Sequence, residues 1–532
     1  MQQRKKKFND TGVCVPERHY MVDISGKIKQ ILEMVTQGDY FVMNRPRQYG
    51  KTTTVYMLAL HLKETDGYFP VKLSFEGLGS EIFRSETSFI EVFLLQLKNV
   101  FKLAGDREME IFITEAAGIS SIYRLGMFLT ELIIRVEKKV VLIIDEIDKS
   151  SNNQLFLDFL GMLRDKYLKA VQGEDTTFHS VILVGVHDIK SLKIKLRSEE
   201  EAKYNSPWNI AVDFNVNMNF DPGEIATMLT AYVRDKKESR AIDDVEVLSQ
   251  KLFDYTSGHP FLVSKLCKIV DEEIVGDHPE PRVWTAAYID DAFTRLVNEG
   301  YTTTNFDEIT KNLENNKELY DLVFKIIMDG ESKTFNIGNP VISRGVQLGI
   351  LADSSGNTAL HNKVYNQRIY NYMTSKIETS VNMEGYNYRD NFVMPDNSLD
   401  IEKLLLKFQE FMKFQHSRSN REFLEKDSRL VFLAFIKPII NGKGFDFKEV
   451  QVSEEKRLDV VLTYVNHKYI IELKKWYGIK YHRKGIVQLS DYLERQSQNK
   501  GYLLIFDFRS RTKKWKHERI HSGDKEIFAI WV

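Results

Sequence analysis

Hydrophobic and polar positions over the first two hundred residues alternate between short apolar runs and longer segments with helical spacing. Apolar runs of strand length occur at residues 40–44, 71–75, 140–144 and 181–186. Strands separated by helix-length segments are typical of a mostly parallel sheet with helices on both faces. We therefore predict an α/β core over residues 1–215.

The pattern changes after this core. Helical spacing dominates residues 222–233 and 245–255, which predicts a helical lid over 216–305. Residues 318–328 again have helical spacing, and 351–360 read as two short strands around a turn rich in Ser, Gly and Asn. Helices followed by such a hairpin predict a winged helix over 306–374.

A second folded region is expected near the end of the chain. Residues 375–400 are polar and rich in Asn, Gly and Asp, which indicates a linker. Residues 456–464 and 469–474 then alternate as two strands of a hairpin, and 501–506 form another apolar run. We therefore predict a separate domain over 401–532.

Composition is that of a water-soluble globular chain. Its 532 residues exceed what one hydrophobic core organises, and 43% are hydrophobic and 28% charged. No apolar run approaches the roughly 20 residues that a membrane helix needs, and no apolar stretch follows the basic N-terminus as in a secretory signal. Two cysteines, Cys14 and Cys267, indicate a reducing compartment. We expect a cytoplasmic protein without a membrane partner.

Charge is distributed unevenly along the chain. Residues 401–532 contain 27 Lys and Arg against 17 Asp and Glu, a balance of +10, whereas residues 1–400 contain 47 against 58, a balance of −11. Phosphate contacts require Lys and Arg, so a nucleic-acid partner for the last domain is one interpretation. A solvated basic surface is the other.

A phosphate-loop variant follows the first predicted strand. Gly50, Lys51 and Thr52 begin the next predicted helix, where backbone N–H groups can hold phosphates. Lys51 would reach the β- and γ-phosphates of ATP, and Thr52 would place its hydroxyl on Mg²⁺. Arg45 stands where the usual motif has its first glycine. An ordinary helix start is the structural alternative.

Two carboxylates complete this candidate site. Asp145 and Glu146 directly follow the apolar run 140–144. Asp145 suits the magnesium shell, and Glu146 suits the base that orients the attacking water. A strand that ends in a solvated acidic turn is the alternative reading.

The hairpin of the last domain carries a second group of candidate catalytic residues. Glu472 and Lys474 are two positions apart, so their side chains leave the same face of a strand, and Asp459 lies on the partner strand. Paired carboxylates that hold metal ions, with a lysine beside the attacking water, suit phosphodiester hydrolysis. Three solvated charges on a surface hairpin are the alternative.

The first part of the chain resembles bacterial AAA-like ATPases of the P-loop class. The resemblance covers residues 18 to about 373 and rests on the loop Arg45-Pro-Arg-Gln-Tyr-Gly-Lys-Thr52, on Gly185-Val-His-Asp188, on Ser206-Pro-Trp-Asn-Ile-Ala211 and on Ser257-Gly-His-Pro260. It implies that His187 or Asp188 senses the γ-phosphate and that Gly258 and Pro260 line the base pocket. The cofactor-binding candidates are Arg47, Gly50, Lys51, Thr52, Thr53, Asp145, His187 and Pro260.

The last domain resembles the PD-(D/E)XK nuclease superfamily, which implies a restriction-endonuclease-like α/β fold. By this resemblance Asp459 and Glu472 are metal ligands and Lys474 positions or activates water. Gln488-Leu-Ser-Asp-Tyr492 fits a helix pattern of some branches. An additional acidic residue often completes such sites, and the candidates here are Glu425, Glu422 and Glu449.

Together these observations predict an α/β chain with a P-loop NTPase core, helical lid and winged helix, followed by the nuclease-like domain. The expected function is that of an ATP-dependent or ATP-gated nuclease that uses ATP and Mg²⁺, with Mn²⁺ an alternative nuclease metal. DNA is favoured over RNA as the substrate, and defence against foreign nucleic acid is a role that suits it. A homo-oligomer or a partner protein is compatible with this function. The alternative is an ATP-binding signalling switch whose last domain binds nucleic acid without cutting.

Overall fold

The apolar runs of the first part of the chain form a parallel four-stranded sheet. In the computed structural model its strands are β1 (Tyr40–Asn44), β2 (Tyr68–Ser74), β3 (Lys139–Asp145) and β4 (Ser180–Gly185), in the order β1-β4-β3-β2. All but the first residue of β3 are buried, as expected for a strand covered on both faces. The predicted mostly parallel sheet is confirmed.

The structure describes two compact units. The described residues are 6–149, 153–186, 208–236, 240–276, 282–298, 303–327, 333–380, 392, 394, 396, 398–416, 431–433, 435–436, 445–447, 460–464, 467–496, 498–509 and 515–532. Unit 1 comprises residues 1–312, 336–352 and 360–365, and unit 2 comprises 313–335, 353–359 and 366–532. The five-part division expected from the sequence stays a prediction.

Six helices accompany the sheet of unit 1. They are α1 (Ser25–Gln37), α2 (Lys51–Glu64), α3 (Glu86–Ala104), α4 (Arg107–Glu115), α5 (Ile122–Val136) and α6 (Gln154–Val171). The side chains of Ser85, Asp106 and Ser121 cap α3, α4 and α5, because short polar side chains satisfy the first free N–H groups of a helix. Next to β1, Phe41 forms a parallel bridge with Val212, which extends the sheet beyond β1.

Helices also dominate the segment after the sheet. They are α7 (Pro222–Asp235), α8 (Val245–Thr256), α9 (Pro260–Ile269), α10 (Ala286–Asn298) and α11 (Thr304–Glu314), with the short parallel strands β5 (Arg240–Ile242) and β6 (Arg282–Trp284). Asp221 and Glu224 form a capping box at the start of α7. Gly258, between α8 and α9, has φ +72° and lies so close to the Phe220 backbone that a Cβ would be 1.9 Å from its oxygen.

Several elements follow α11 in the chain and precede the last sheet. They are α12 (Lys317–Ile327), α13 (Pro340–Gln347), the hairpin β7 (Leu351–Ser354) and β8 (Asn357–Leu360), and α14 (Lys363–Ser380). The helix and the hairpin predicted for the winged helix are both present. The end of α14 overlaps the start of the predicted linker.

Unit 2 contains a mixed six-stranded sheet. Its order is β13-β14-β12-β11-β10-β9, with parallel pairing of β11 to β12 and of β12 to β14 and antiparallel pairing elsewhere. Helix α15 (Ile401–His416) contributes to the hydrophobic core that includes Phe408 and Phe506, and helix α16 (Ile479–Arg495) contributes Leu489 to the core that includes Leu503. The strands are β9 (Phe445–Phe447), β10 (Val460–Tyr464), β11 (His467–Lys475), β12 (Lys500–Phe506), β13 (His517–Ser522) and β14 (Lys525–Trp531).

Across the described ranges, no helix combines the length and the apolar character needed to cross a membrane.

Candidate functional site

The loop between β1 and α2 has the backbone geometry of an anion site. Gly50 adopts the left-handed conformation, with φ 73°, and α2 begins at Lys51. The first N–H groups of a helix have no partner within the helix and carry its positive dipole, so they suit phosphate oxygens. The start of α2 therefore fits a nucleotide phosphate, as the motif predicts.

Lys51 packs against this loop and is only 7% exposed. Its Nζ donates to the backbone oxygens of Arg45 and Pro46, at 2.9 Å each. Burial lowers the pKa of this ammonium, and the carboxylates of Asp148, Glu146 and Asp145 oppose that shift. Lys51 thus donates to two neutral carbonyl oxygens at the loop, which an anionic phosphate can replace with a stronger ion pair.

Arg45, at the position of the usual first glycine, has a structural role. Its guanidinium donates to the backbone oxygens of Phe214 at 3.2 Å and Val216 at 2.9 Å, and it stacks over the Phe214 ring at 5.1 Å. Burial lowers the pKa of Arg45. The side chain connects the loop to the segment after the Val212 bridge, which gives a physical reason for the departure from the usual motif.

The carboxylates at the end of β3 lie near this loop. Asp145 is buried, and its Oδ1 accepts the Glu146 N–H at 3.0 Å. Burial raises the pKa of Glu146, and Asp145 adds to the effect while Lys51 opposes it. Such a carboxylate suits a general base, because its raised pKa strengthens its affinity for a proton.

Asp148 is a residue of this site that the sequence analysis missed. Its carboxylate accepts the N–H of Val186, the residue after β4, at 2.7 Å. Among the carboxylates that oppose the lowering of the Lys51 pKa, Asp148 has the largest effect. The spacing Asp145-Glu146-Ile147-Asp148 was visible in the sequence, but the contact with β4 was not.

Oxygen donors suitable for Mg²⁺ are also present. Thr52 is half-buried at the start of α2, and the buried Asp145 supplies a carboxylate. Hydroxyl and carboxylate oxygens are the ligands that Mg²⁺ prefers beside nucleotide phosphates. Thr53 has a different partner, since its Oγ1 accepts the Cys14 N–H at 3.1 Å.

A cavity of about 300 Å³ adjoins the phosphate loop within unit 1. Its lining includes Gly50 and Thr53, Pro260 and Phe261 at the start of α9, and the residues 9–12 and 14. Its volume lies at the lower end of the range of small-molecule sites. Pro260 therefore lies at a cavity that fits the predicted base pocket, and its role stays a prediction.

Residues 6–20, here called the strap, are bound to α9 beside the cavity. Asp10 forms ion pairs with Lys265 at 2.9 Å and Lys268 at 2.7 Å, and the Asn9 backbone oxygen accepts the Ser264 hydroxyl at 2.7 Å. The strap and α9 are therefore fastened together on one side of the cavity. The sequence analysis assigned no role to the strap.

The buried Tyr49 connects the phosphate loop to two histidines. Its hydroxyl lies 3.0 Å from Nε2 of His361, and its ring packs edge-on against His259 with centroids 4.4 Å apart. Tyr365 in turn places its hydroxyl 3.0 Å from Nε2 of His259. Burial lowers the pKa of His361 to about 4 and that of His259 well below its ordinary value. Both imidazoles are therefore neutral at pH 7.

Arg47 and His187 are two further residues predicted to bind the nucleotide. Arg47 is exposed, and its Nε lies 3.4 Å from Oε1 of Glu308. His187, with its alternative Asp188, lies outside the described residues. The nucleotide roles of Arg47 and His187 stay predictions.

The candidate nuclease residues converge on β11 in unit 2. Glu472 and Lys474 are buried, with 4% and 8% exposure, and Nζ of Lys474 lies 2.5 Å from Oε1 of Glu472. The same Nζ donates to Oε1 of Gln488 on α16 at 2.9 Å. Gly485 makes room for this lysine, because a Cβ there would lie 3.3 Å from its Cε. The burial of Glu472 and Lys474 argues against the alternative that these two residues are solvated surface charges.

The other candidates for this site fall outside the described residues: Asp459, Glu425, Glu422 and Glu449. Val460, which follows Asp459 in the sequence, pairs with Ile471, which precedes Glu472. Among the described residues, no group of three or more His, Cys, Asp or Glu side chains could hold a metal ion. The metal-binding roles of Glu472 and Asp459 therefore stay predictions.

Comparison with known proteins gives a family match over most of the chain. Residues 15–369 match the model of a family described as AAA-like domain. A WD repeat-containing protein of Synechocystis, itself uncharacterised, is 24% identical over 249 residues, which are 46% of this chain. The chain spans about a fifth of the length of that relative, since the match covers 20% of it.

Two solved structures show limited similarity. The Walker-type ATPase PABY2304 of Pyrococcus abyssi is 12% identical with a TM-score of 0.46, over 68% of this chain and 99% of the other. The ORC1 protein of Aeropyrum pernix, solved in complex with DNA, is 12% identical with a TM-score of 0.30, over 67% and 94%. At such TM-scores these similarities have no bearing on activity.

Proposed function

The chain belongs to the AAA-like domain family, and we propose that it binds and hydrolyses ATP with Mg²⁺ and thereby controls a metal-dependent nuclease in residues 401–532. The nucleotide half of this proposal rests on unit 1. The nuclease half rests on one observation in unit 2, the buried cluster of Glu472, Lys474 and Gln488.

For ATP, each part of the unit 1 site has a chemical role. The start of α2 and Lys51 neutralise the phosphates, and Thr52 and Asp145 would hold Mg²⁺, which supplies further charge neutralisation. Glu146 accepts a proton from the water that attacks the γ-phosphorus, as the bond to the bridging oxygen breaks and ADP leaves, and its raised pKa suits this role. The cavity beside Pro260 takes the base.

In the proposed nuclease site, Glu472 and Lys474 form a buried ion pair on β11. A carboxylate and an ammonium at 2.5 Å, both nearly out of solvent, are costly to bury unless they satisfy each other and further partners. Gln488 is such a partner. In phosphodiester hydrolysis Glu472 and Asp459 would hold the metal, and Lys474 would position the water that attacks phosphorus as the bond to one sugar oxygen breaks.

The contacts of Tyr49 offer a way for bound ATP to alter the packing of unit 1. This residue precedes Gly50 and contacts His259 before α9 and His361 after β8. A phosphate that reshapes the loop would disturb both contacts at once. Movement of packed elements after such a local change is a common form of switching.

The test is a cleavage assay on linear duplex DNA, circular DNA and single-stranded DNA and RNA, with Mg²⁺ or Mn²⁺ and with or without ATP. Wild type is compared with Glu472→Gln, Asp459→Ala and Lys51→Ala, and ATP hydrolysis is measured in parallel. We expect the first two variants to hydrolyse ATP but not to cut, and Lys51→Ala to lose the response of cutting to ATP. Wild type that hydrolyses ATP but cuts nothing would contradict the nuclease half and favour the ATP-binding switch.

A further inference from the structure

Helix α16 contacts the buried pair of β11 through one side. The inward side carries Gly485 and Gln488, which face Lys474. The outward side and the turn before it expose a set of apolar and cationic side chains, here called the α16 surface: Tyr477, Ile479, Lys480, Arg483, Lys484 and Val487.

The cations of this surface are available for an external partner. Within the described residues, Lys480, Arg483 and Lys484 form no ion pair, whereas Glu494 at the far end of α16 is paired with Lys525 at 2.7 Å. Three cations within one and a half turns of a helix repel one another, so an anion that neutralises them binds favourably. A polyanion with evenly spaced phosphates matches this arrangement.

Two tyrosines connect this surface to the buried pair. Tyr477 is 66% exposed, so most of its side chain is accessible to a partner. Its ring packs edge-on against Tyr481, with centroids 5.3 Å apart and planes at 83°. The Tyr481 ring is in turn 6.0 Å from Nζ of Lys474. Two ring contacts thus lead from the exposed surface to the candidate catalytic lysine.

We propose that the α16 surface binds single-stranded nucleic acid, with Tyr477 stacked on one base and Lys480, Arg483 and Lys484 on the phosphates. The inference rests on the nuclease proposed above, to which it adds the class of substrate. Every unpaired base has a π-face for an aromatic ring, whereas the bases of a duplex are already stacked on their neighbours. The rings of Tyr477 and Tyr481 connect this surface to Lys474.

The test measures binding separately from cutting. Fluorescence anisotropy with the full chain in EDTA uses a labelled single-stranded DNA, an RNA of the same sequence and the blunt DNA duplex. Tyr477→Ala should weaken single-strand binding at least about fivefold, the lower end of stacking by one base, and Tyr477→Trp should restore it. Arg483→Ala should reduce the slope of log affinity against log salt by about 0.7. Tyr123→Ala, at another exposed tyrosine (76%), is the matched control and should change nothing.

The outcomes separate the two proposals. Wild type that binds no single strand, binds duplex equally well, or is unaffected by Tyr477→Ala would overturn the inference. Binding that depends on Tyr477 in a protein that cuts nothing would support the surface and contradict the nuclease. Cutting that depends on Glu472 alongside binding that ignores Tyr477 would uphold the nuclease and overturn only the inference.

Discussion

His361 should make the stability of unit 1 depend on pH. Asn362 holds its Nδ2 against Nδ1 of His361 at 3.1 Å, and its own Oδ1 accepts the Tyr365 N–H at 2.8 Å, which fixes the amide in this orientation. Nδ1 is therefore an acceptor, and a proton added there would face another donor. This contact and burial in unit 1 both disfavour the imidazolium.

The size of the effect follows from the pKa. Burial lowers the pKa of His361 from 6.5 to about 4. At about 1.4 kcal/mol per unit, the difference between the folded and unfolded chain is about 3 kcal/mol. The unfolded chain takes up this proton first as the pH falls. The free energy of unfolding should therefore be unaffected above pH 6.5, decrease between 6.5 and about 4, and level off below.

Urea unfolding at a series of pH values tests this expectation, with hydrogen exchange of peptides from α2 and α9 to report on unit 1. Carboxylates also titrate in this range, so the informative quantity is the difference between wild type and His361→Gln. The free energy of unfolding of His361→Gln should decrease less steeply as the pH falls. His521→Gln, at an exposed histidine of unit 2, serves as the control. Identical pH dependence of wild type and His361→Gln would refute the reasoning.

Three further predictions concern unit 1. Glu146→Gln should retain ATP affinity but lose about 10²- to 10⁴-fold in turnover, and wild-type turnover should fall on the acid side at a pH above the ordinary carboxyl range, as a pH profile of phosphate release will show. Gly258→Ala should lower the melting temperature sharply, because its Cβ would lie 1.9 Å from the Phe220 backbone oxygen, while Gly173→Ala, also at positive φ but with open space, should cost far less. Arg45→Ala should reduce the free energy of unfolding by at least about 2 kcal/mol in urea titrations, since the charge-assisted hydrogen bonds of its guanidinium to the backbone oxygens of Asn44, Phe214 and Val216 are lost, and a loss smaller than about 0.5 kcal/mol would contradict the anchoring role.

The local parts of both candidate sites were predictable from the sequence. The run 40–44 became β1 with the expected bounds, and α2 begins at Lys51 as the motif indicated. Glu472 and Lys474 share a face of β11, and Gln488 meets them from α16. Strand alternation and helix start signals depend on near neighbours in the chain, so they can be read directly.

Contacts between distant residues could not be predicted in this way. The Arg45 side chain binds backbone oxygens of Phe214 and Val216, groups that every residue carries and that leave no mark in a sequence. The same holds for Asp148, whose partner is the backbone of Val186, and for Tyr49, whose two histidines come from separate segments.

The strap has a consequence for the kinetics of nucleotide exchange. Asp10 is bound to two lysines of α9, so one wall of the cavity cannot open until these ion pairs break or α9 moves with the strap. The barrier to release from the proposed site would therefore include the separation of partly buried charges, which salt screens only weakly. The lifetime of the proposed ATP-bound state would then depend on lysines of α9 that need not touch ATP.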